Sequence, residues 1–300
     1  MAGSDINRFA EMETFVRVVE SGGMSAAARL KRTTPSSVSK LLGRLESRLG
    51  VRLLNRSTRQ LQLTPEGRAF YDNCVRVLAD VREVEREATN GREPVGRIRV
   101  NTSASFGLHV LAPLVAEFLG RYPAVSLDIV HTDSLVDLLG ELTDVAVRAG
   151  PLENSRLVAR KLGESRSIIV AAPAYLARHG TPQAPSQLGQ HNLIGFDYAR
   201  AVEGWRLMEN GTPMLIQPNG RVQASDGEAL RHLALNGVGI AQLATFTIAD
   251  DLAQGRLLPL LERFDDSRPE SFHAVYLGQG GHLPSRVRAF IDFLAERVRL

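Results

Sequence analysis

The apolar and polar positions of the first 50 residues follow the period of three consecutive helices. Between residues 8 and 20, helical spacing links four apolar side chains: Met12, Phe15, Val16 and Val19. The glycines Gly22 and Gly23 predict the end of this helix near Ser21. A short second helix is expected over residues 26–30, with Ser25 as its N-cap.

A third helix is predicted from Thr34, as N-cap, and Pro35, in the first turn, as far as Gly50. Its buried stripe is expected to contain Val38, Leu42, Leu45 and Leu49. The opposite face has short hydroxyls and cations: Ser36, Ser37, Ser39, Lys40, Gly43 and Arg44. Such residues approach phosphates and base edges in the major groove, which indicates a helix-turn-helix. A helical hairpin used only for protein contacts would have the same spacing.

Two further elements follow the third helix. Leu53, Leu61 and Leu63 alternate with polar residues around a basic tip, which predicts a β-hairpin wing that contacts phosphate through Arg56 and Arg59. Thr64 and Pro65 then predict a long helix to about residue 90. Its apolar residues are spaced as an a/d heptad seam: Phe70, Cys74, Val77, Val81, Val84 and Ala88.

The seam needs a partner surface. Pairing of two copies would place two recognition helices on successive major grooves, whereas packing of the seam on the chain's own C-terminal domain is the alternative. Cys74 is interpreted as a small core residue rather than as a redox-sensing thiol.

From Gly96 onward, short apolar strands alternate with helices, which predicts an α/β domain around a largely parallel sheet. The first set of elements spans residues 97–101, 106–120, 125–130, 135–139 and 145–148. A second set spans residues 167–171, a hairpin arm at 205–208 that turns at 210–211, a helix at 230–236, and 239–241. Two lobes are therefore expected, and the final helix over 285–298 should cover the first with Val287, Phe290, Ile291, Leu294 and Val298.

The formal charge of +3 is unevenly distributed. The segment from Met24 to Arg68 holds ten Lys or Arg and two Glu, so its charge is +8 and that of the remaining chain is −5. A concentrated basic block is expected for a protein that binds a phosphate backbone, although a solvated basic face would have the same charge.

Several protein classes are disfavoured by the same sequence. The polar N-terminus and the lack of an apolar run of roughly 20 residues predict a cytoplasmic protein without membrane contact. A single cysteine, Cys74, permits neither an intramolecular disulfide nor a cysteine-rich metal site. Nucleophile-elbow, phosphate-loop and zinc-protease motifs are missing, and the seven histidines are scattered, so no enzymatic activity, metal or cofactor is expected. An exported solute-binding protein would lack the basic helical module.

Specific sequence blocks resemble the LysR-type transcriptional regulator family. They are SAAAR at 25–29, PSSVS at 35–39, RLE at 44–46, LG at 49–50, LLNR at 53–56 and LTPEG at 63–67, and further segments extend the resemblance over essentially the full chain. Lys31 and Thr33 depart from it, because the family usually has apolar residues there. The resemblance implies an α/β protein with an N-terminal winged helix-turn-helix, a linker helix, and a two-lobed, periplasmic-binding-protein-like (type 2) effector domain.

The resemblance also implies domain limits and site residues. Residues 1–64 would bind DNA, 65–91 would form the dimerisation helix, and 92–300 would bind effector, with lobe 1 at about 92–163 and 267–300 and lobe 2 at about 164–266. The DNA-binding candidates are Ser25, Thr34, Pro35, Ser36, Ser37, Ser39, Lys40, Arg44, Arg56 and Arg59. The effector-binding candidates, carried over from the family's inter-lobe cleft, are Ser103, Ser105, Arg148, Gly150, Phe196 and Asp226.

Some of these candidates have simpler explanations. Ser105 and Asp226 are also good N-caps, and Arg148 could pair with a neighbouring carboxylate instead of an effector anion. The function expected from the resemblance is sequence-specific regulation of transcription, with DNA contacts modulated by a small, anionic effector. The expected partners are double-stranded DNA, the effector, further copies of the chain as a homodimer or homotetramer, and RNA polymerase. The alternative is an effector-independent repressor with a vestigial sensor domain.

Overall fold

The computed structural model describes residues 7–56, 61–88, 93–133, 143–150, 157–198, 204–277 and 283–300. The chain divides into two compact units, Met1–Arg92 and Glu93–Leu300. The predicted helix at 135–139 and the tip of the wing, including Arg59, lie outside the described residues.

The first unit is a winged helix-turn-helix, as the sequence predicts. Its elements are α1 (Arg8–Glu20), α2 (Met24–Leu30), α3 (Pro35–Leu49), β1 (Leu54–Arg56), β2 (Leu61–Leu63) and α4 (Pro65–Ala88). Strands β1 and β2 pair antiparallel, with Arg56 opposite Leu61. Phe15, Val38, Leu42 and Leu45 are buried together in the core of this unit.

The helix ends of this unit agree with the sequence in one case and differ in another. Thr34 caps α3, because its hydroxyl accepts a hydrogen bond from the Ser37 amide, and Gly50 ends the helix with a φ of 72°. The prediction that Ser25 caps α2 is wrong. The N-cap is Gly23, so Ser25 lies inside the first turn and is exposed there.

Helix α4 begins as predicted, but part of its heptad seam is buried inside the unit and is not available to a second copy. The Thr64 hydroxyl accepts from the Gly67 amide and donates to the Arg52 carbonyl. Two seam residues pack within the unit: Phe70 contacts the Phe15 ring at 5.5 Å, and Cys74 is buried. Burial raises the pKa of the Cys74 thiol to about 12, which agrees with a core role. The next seam residue, Val77, is 42% exposed.

The first lobe of the second unit contains a five-stranded sheet with the order β4-β3-β5-β14-β6. Its strands are β3 (Gly96–Thr102), β4 (Val125–His131), β5 (Val145–Ala149), β6 (Leu157–Ser165) and β14 (Glu270–Leu277). The prediction of a largely parallel sheet is confirmed for this lobe, because β3, β4, β5 and β6 run in one direction and β14 alone runs against them. Strand β3 pairs parallel with β4 and β5, but β14 runs antiparallel to β5 and β6 because β6 leads to the second lobe and β14 returns from it.

One long helical segment and the C-terminal helix cover this sheet. The segment consists of α5 (Ala104–Phe106), a π-helical turn (Gly107–Leu111) and α6 (Ala112–Arg121). The C-terminal helix α10 (Ser285–Arg297) packs on the same core, where the Phe118 and Phe290 ring centroids lie 5.0 Å apart. The predicted cover of the first lobe by the last helix is thereby confirmed.

The second lobe holds the remaining elements. They are β7 (Ser167–Ala171), α7 (Pro173–His179), a 3-10 turn (Pro185–Gln190), β8 (Gly195–Phe196), β9 (Trp205–Glu209), β10 (Thr212–Ile216), β11 (Gln223–Ala224), α8 (Gly227–Leu235), β12 (Ala241–Ala244), α9 (Thr245–Ala253), β13 (Leu258–Leu260) and a 3-10 turn (Glu262–Phe264). Strand β7 pairs antiparallel with both β12 and β13. The predicted hairpin turn is present, since Asn210 and Gly211 both have positive φ.

Candidate functional site

Helix α3 has one buried face and one exposed polar face. Val38, Leu42 and Leu45 are at most 1% exposed, whereas Ser36, Ser37, Lys40 and Arg44 are exposed and Ser39 is partly so. The Thr34 hydroxyl lies 2.9 Å from both Ser36 Oγ and Ser37 Oγ, which gathers three hydroxyls around the helix start at Pro35. A duplex that approaches this face would meet hydroxyls first and then two cations.

The base of the wing is held by a residue that sequence reasoning missed. Glu46, on α3, accepts hydrogen bonds from the amides of Leu53 and Leu54 at 2.9 and 3.2 Å. From the other side, the Thr64 amide donates to the Leu53 carbonyl. The signal for Glu46 was an isolated carboxylate within a basic block. These hydrogen bonds of Glu46 and Thr64 form the clamp at the base of the wing. Arg56 is the last residue of β1 and lies further along the wing.

The structure also explains why a polar residue, Lys31, stands where the family usually has an apolar one. Its ammonium group donates to the Glu13 carboxylate at 2.7 Å and to the Thr14 hydroxyl at 3.2 Å. Nearby, the Arg48 guanidinium pairs with the buried carboxylate of Glu11. The contact between α2 and α1 is therefore polar where the related family usually has apolar packing.

In the second unit, one predicted residue of the first lobe, Ser105, lies against the second lobe. Ser103, not Ser105, caps α5, because its hydroxyl accepts from the Phe106 amide. The expectation that Ser105 is a cap is therefore wrong. Ser105 is buried, and its hydroxyl lies so close to Gly227 of α8 that a β-carbon at Gly227 would be 2.6 Å from it.

Asp226 and Phe196 belong to the second lobe and lie next to residues that contact the first lobe, Gly227 and Tyr198. Asp226 caps α8 as predicted, since it accepts from the Ala229 amide at 2.8 Å. Phe196 contacts the ring of Tyr198 at 5.2 Å. The Tyr198 hydroxyl donates to Asp133 of the first lobe, and the same carboxylate accepts from the Ala104 amide at the start of α5, both at 3.3 Å. Sequence reasoning missed Asp133, although its place directly after a strand parallel to β3 puts it beside Ser103.

Arg148 and Gly150 make contacts within the sheet. The Arg148 guanidinium donates to Asn101 Oδ1 at 2.7 Å, and the Gly150 amide donates to the Ser271 carbonyl at 3.0 Å. Asn101 Nδ2 and the Thr102 hydroxyl are buried and have no hydrogen-bond partner in the described structure. Buried polar groups of this kind are uncommon, so the end of β3 is a place where a ligand could supply partners.

A second inter-lobe contact lies one turn along the helix from Ser105. His109 Nε2, in the π-helical turn, is 2.9 Å from Glu228 Oε1 on α8. Glu228 also contacts Arg231 at 3.4 Å. Single π-helical turns occur often at functional sites, because the extra residue redirects side chains. Ser105, Asp133 and His109 thus connect the first lobe to α8 and to Tyr198.

Comparison with known proteins identifies both units. A model described as "LysR substrate binding domain" matches residues 91–299, and one described as "Bacterial regulatory helix-turn-helix protein, lysR family" matches residues 9–68. The HTH-type transcriptional regulator CrgA of Neisseria meningitidis is 41% identical over 290 residues, which are 96% of each chain. The transcriptional activator AaeR of Escherichia coli is 32% identical over 97% of this chain and 94% of its own.

Solved structures agree with these relatives. The structure of CrgA from N. meningitidis has a TM-score of 0.63 at 40% identity and covers 99% of both chains. Full-length AphB, a virulence activator of Vibrio cholerae, has a TM-score of 0.60 at 29% identity and covers 97% of this chain and 99% of its own. None of the helices in the described part of the chain is both long enough and apolar enough to span a bilayer.

Proposed function

The chain belongs to the LysR family of bacterial transcriptional regulators, and we propose that it binds a specific operator through α3 and the wing and responds to a small effector between its lobes. Its relatives are transcriptional regulators, not enzymes. We assign residues 1–64 to DNA binding, 65–91 to the linker and 92–300 to effector binding. In this proposal, RNA polymerase is a further partner of the DNA-bound protein.

The observation that carries the DNA-binding proposal is the exposed face of α3. Lys40 and Arg44 are exposed on it, and within the described residues neither forms an ion pair, so both are free to contact base edges or phosphates. Closer to the helix start lie the smaller candidates Ser36, Ser37 and Ser39. Phosphate contacts are assigned to Ser25, Thr34, Pro35 and Arg56, at or next to the ends of elements, and to Arg59, which lies outside the described residues.

The operator of such a module has two halves, and α4 provides the means to pair them. Cys74 and Leu78 are buried in the unit's own core, whereas Val77 is largely exposed and Val81 partly so. We therefore propose that dimerisation uses the part of the seam from Val77 onward. The stripe would then bury apolar surface in the dimer that a single copy leaves in water.

The effector proposal places a ligand between Ser103, Ser105 and Asp133 on one lobe and Phe196 and Asp226 on the other. The support for an anionic effector is Asp133 itself, because its carboxylate already accepts a hydrogen bond from the first amide of α5. An effector carboxylate could replace it and release Tyr198. Arg148 would act from behind, through Asn101.

Single substitutions of two arginines should separate base recognition from phosphate binding. Arg44→Ala is expected to weaken binding to the preferred duplex by about 1–3 kcal/mol and to change binding to a scrambled duplex little. Arg56→Ala is expected to weaken binding to both duplexes and to reduce the slope of log affinity against log salt by about 1. Fluorescence anisotropy with duplex from the chain's own upstream intergenic region, at two salt concentrations, measures both effects.

Arg17→Ala is the matched control for these substitutions. Arg17 lies on α1 and makes only a surface pair with Glu20, so its loss should leave both affinities unchanged. Equal losses on specific and scrambled DNA for Arg44→Ala would contradict the assignment of α3 as the base-reading helix.

Effector binding should change DNA binding in the same assay. A set of small carboxylates is first screened for stabilisation, where a ligand at 100 times its Kd should add about 2.7 kcal/mol to the free energy of unfolding. A carboxylate that stabilises the protein is expected to change DNA affinity or footprint. A saturating ligand that changes neither would argue for an effector-independent repressor.

A further inference from the structure

We propose that the second lobe has a separate binding site for an anion with a small apolar body, in a cavity at the end of α8 away from the inter-lobe cleft. The cavity has a volume of about 580 Å³. One side is apolar through Ala172, Pro173 and Leu235, and the other carries the cations Arg231 and Arg256 together with the imidazole of His232. All of its lining residues belong to the second lobe, so the site is distinct from the proposed effector cleft.

The charges around the cavity favour an anion. No acidic side chain lines it, because the two carboxylates that pair with its arginines, Asp251 and Glu228, are both buried. Asp251 accepts from Arg231 Nε at 2.6 Å and lies 2.6 Å from an Arg256 amino group. The hydrogen bond to Asp251 raises the pKa of Arg231 further, so this group stays charged at every relevant pH.

Hydrogen-bond donors are left over for a ligand. A guanidinium group has five N–H donors, and within the described structure Arg256 uses one amino group, on Asp251. Its side chain is 48% exposed. His232 is exposed on the same rim, and its side chain forms no described hydrogen bond or ion pair. These groups suit a carboxylate bound side-on, with its apolar body against Pro173 and Leu235.

Isothermal titration calorimetry of the full chain tests the site, with benzoate as the probe. Saturable benzoate binding is expected, whereas benzyl alcohol, which has the same ring without the charge, should not bind. Arg256→Gln and His232→Glu are each expected to weaken benzoate binding by about tenfold or more, because the first removes a charge-assisted contact and the second adds a negative charge beside the bound anion. His232→Glu removes no described ion pair, so its effect does not depend on the stability of the lobe.

Arg263→Gln is the control, because Arg263 is an exposed cation of the same lobe that donates to the Gln183 carbonyl. It should bind benzoate as the unchanged protein does. Lack of saturable benzoate binding, equal binding of benzyl alcohol, or full binding by both cavity variants would each overturn the proposal. If both cavity variants bind fully and Gly227→Ala does not, benzoate occupies the inter-lobe cleft, and the cavity site is rejected while the proposed function stands.

Discussion

Replacing Gly67 by alanine is expected to destabilise the N-terminal unit by about 3 kcal/mol or more, the largest effect of any single methyl group added to it. A β-carbon at Gly67 would lie 2.0 Å from the carbonyl oxygen of Leu53 and 2.8 Å from its carbonyl carbon. Both atoms belong to the backbone, so no side-chain rotation relieves the overlap. The start of α4 would have to move away from the base of the wing.

Calorimetry of the full chain measures this effect, because the two units can unfold in separate transitions. Gly43→Ala is the matched control. Gly43 lies inside α3, and a β-carbon added there would meet no atom within 4 Å, so alanine should stabilise the helix by up to about 1 kcal/mol. Unchanged unfolding of the Gly67→Ala protein would contradict the close approach of Leu53 and α4.

Replacing Asp251 by alanine is expected to destabilise the second unit by about 3–5 kcal/mol. The carboxylate is fully buried and compensates the charges of Arg231 and Arg256. Arg231 has a side chain that is only 15% exposed, so the substitution leaves it with the more distant Glu228 carboxylate, at 3.4 Å, in a place where water cannot replace Asp251. Calorimetry should show the loss in the transition of the second unit.

Asp250→Ala is the control for this substitution. Asp250 is the neighbouring residue and its carboxylate is exposed, so its loss should change stability by less than about 0.5 kcal/mol. The double variant Asp251→Leu with Arg231→Met should recover much of the lost stability, because it removes the charge that Asp251 compensated and keeps the volume. If Asp251→Ala unfolds like Asp250→Ala, the ion pairs contribute nothing to stability.

Features that depend on neighbours in sequence were predictable. Thr34 caps a helix whose first amides are two and three residues away, and Asp226 does the same for α8, so local hydrogen bonds decide both. Ser25 shows the limit of this reasoning. It has the chemistry of a cap, but Gly23 takes the extended conformation of the N-cap, so the helix begins two residues earlier.

Features that depend on distant residues were not predictable. Strands β6 and β14 pair only because the chain leaves one lobe and returns to it. The apolar and polar residues along each strand do not indicate that pairing. The same holds within the cleft. Ser105 was predicted to bind effector, with a helix cap as the alternative, but it is buried against Gly227, and the link between Asp133 and Tyr198 joins residues of different lobes.

The clamp at the base of the wing has a mechanical consequence. Glu46 ties the base of the wing to α3, and Thr64 ties it to the start of α4, so we expect α3, the base of the wing and the start of α4 to move together. Parts that move together do not change their contacts with DNA by bending at the base of the wing. In the proposed dimer, effector binding would then change the distance and the angle between the two N-terminal units. A duplex bound to both units would have to bend or straighten in response.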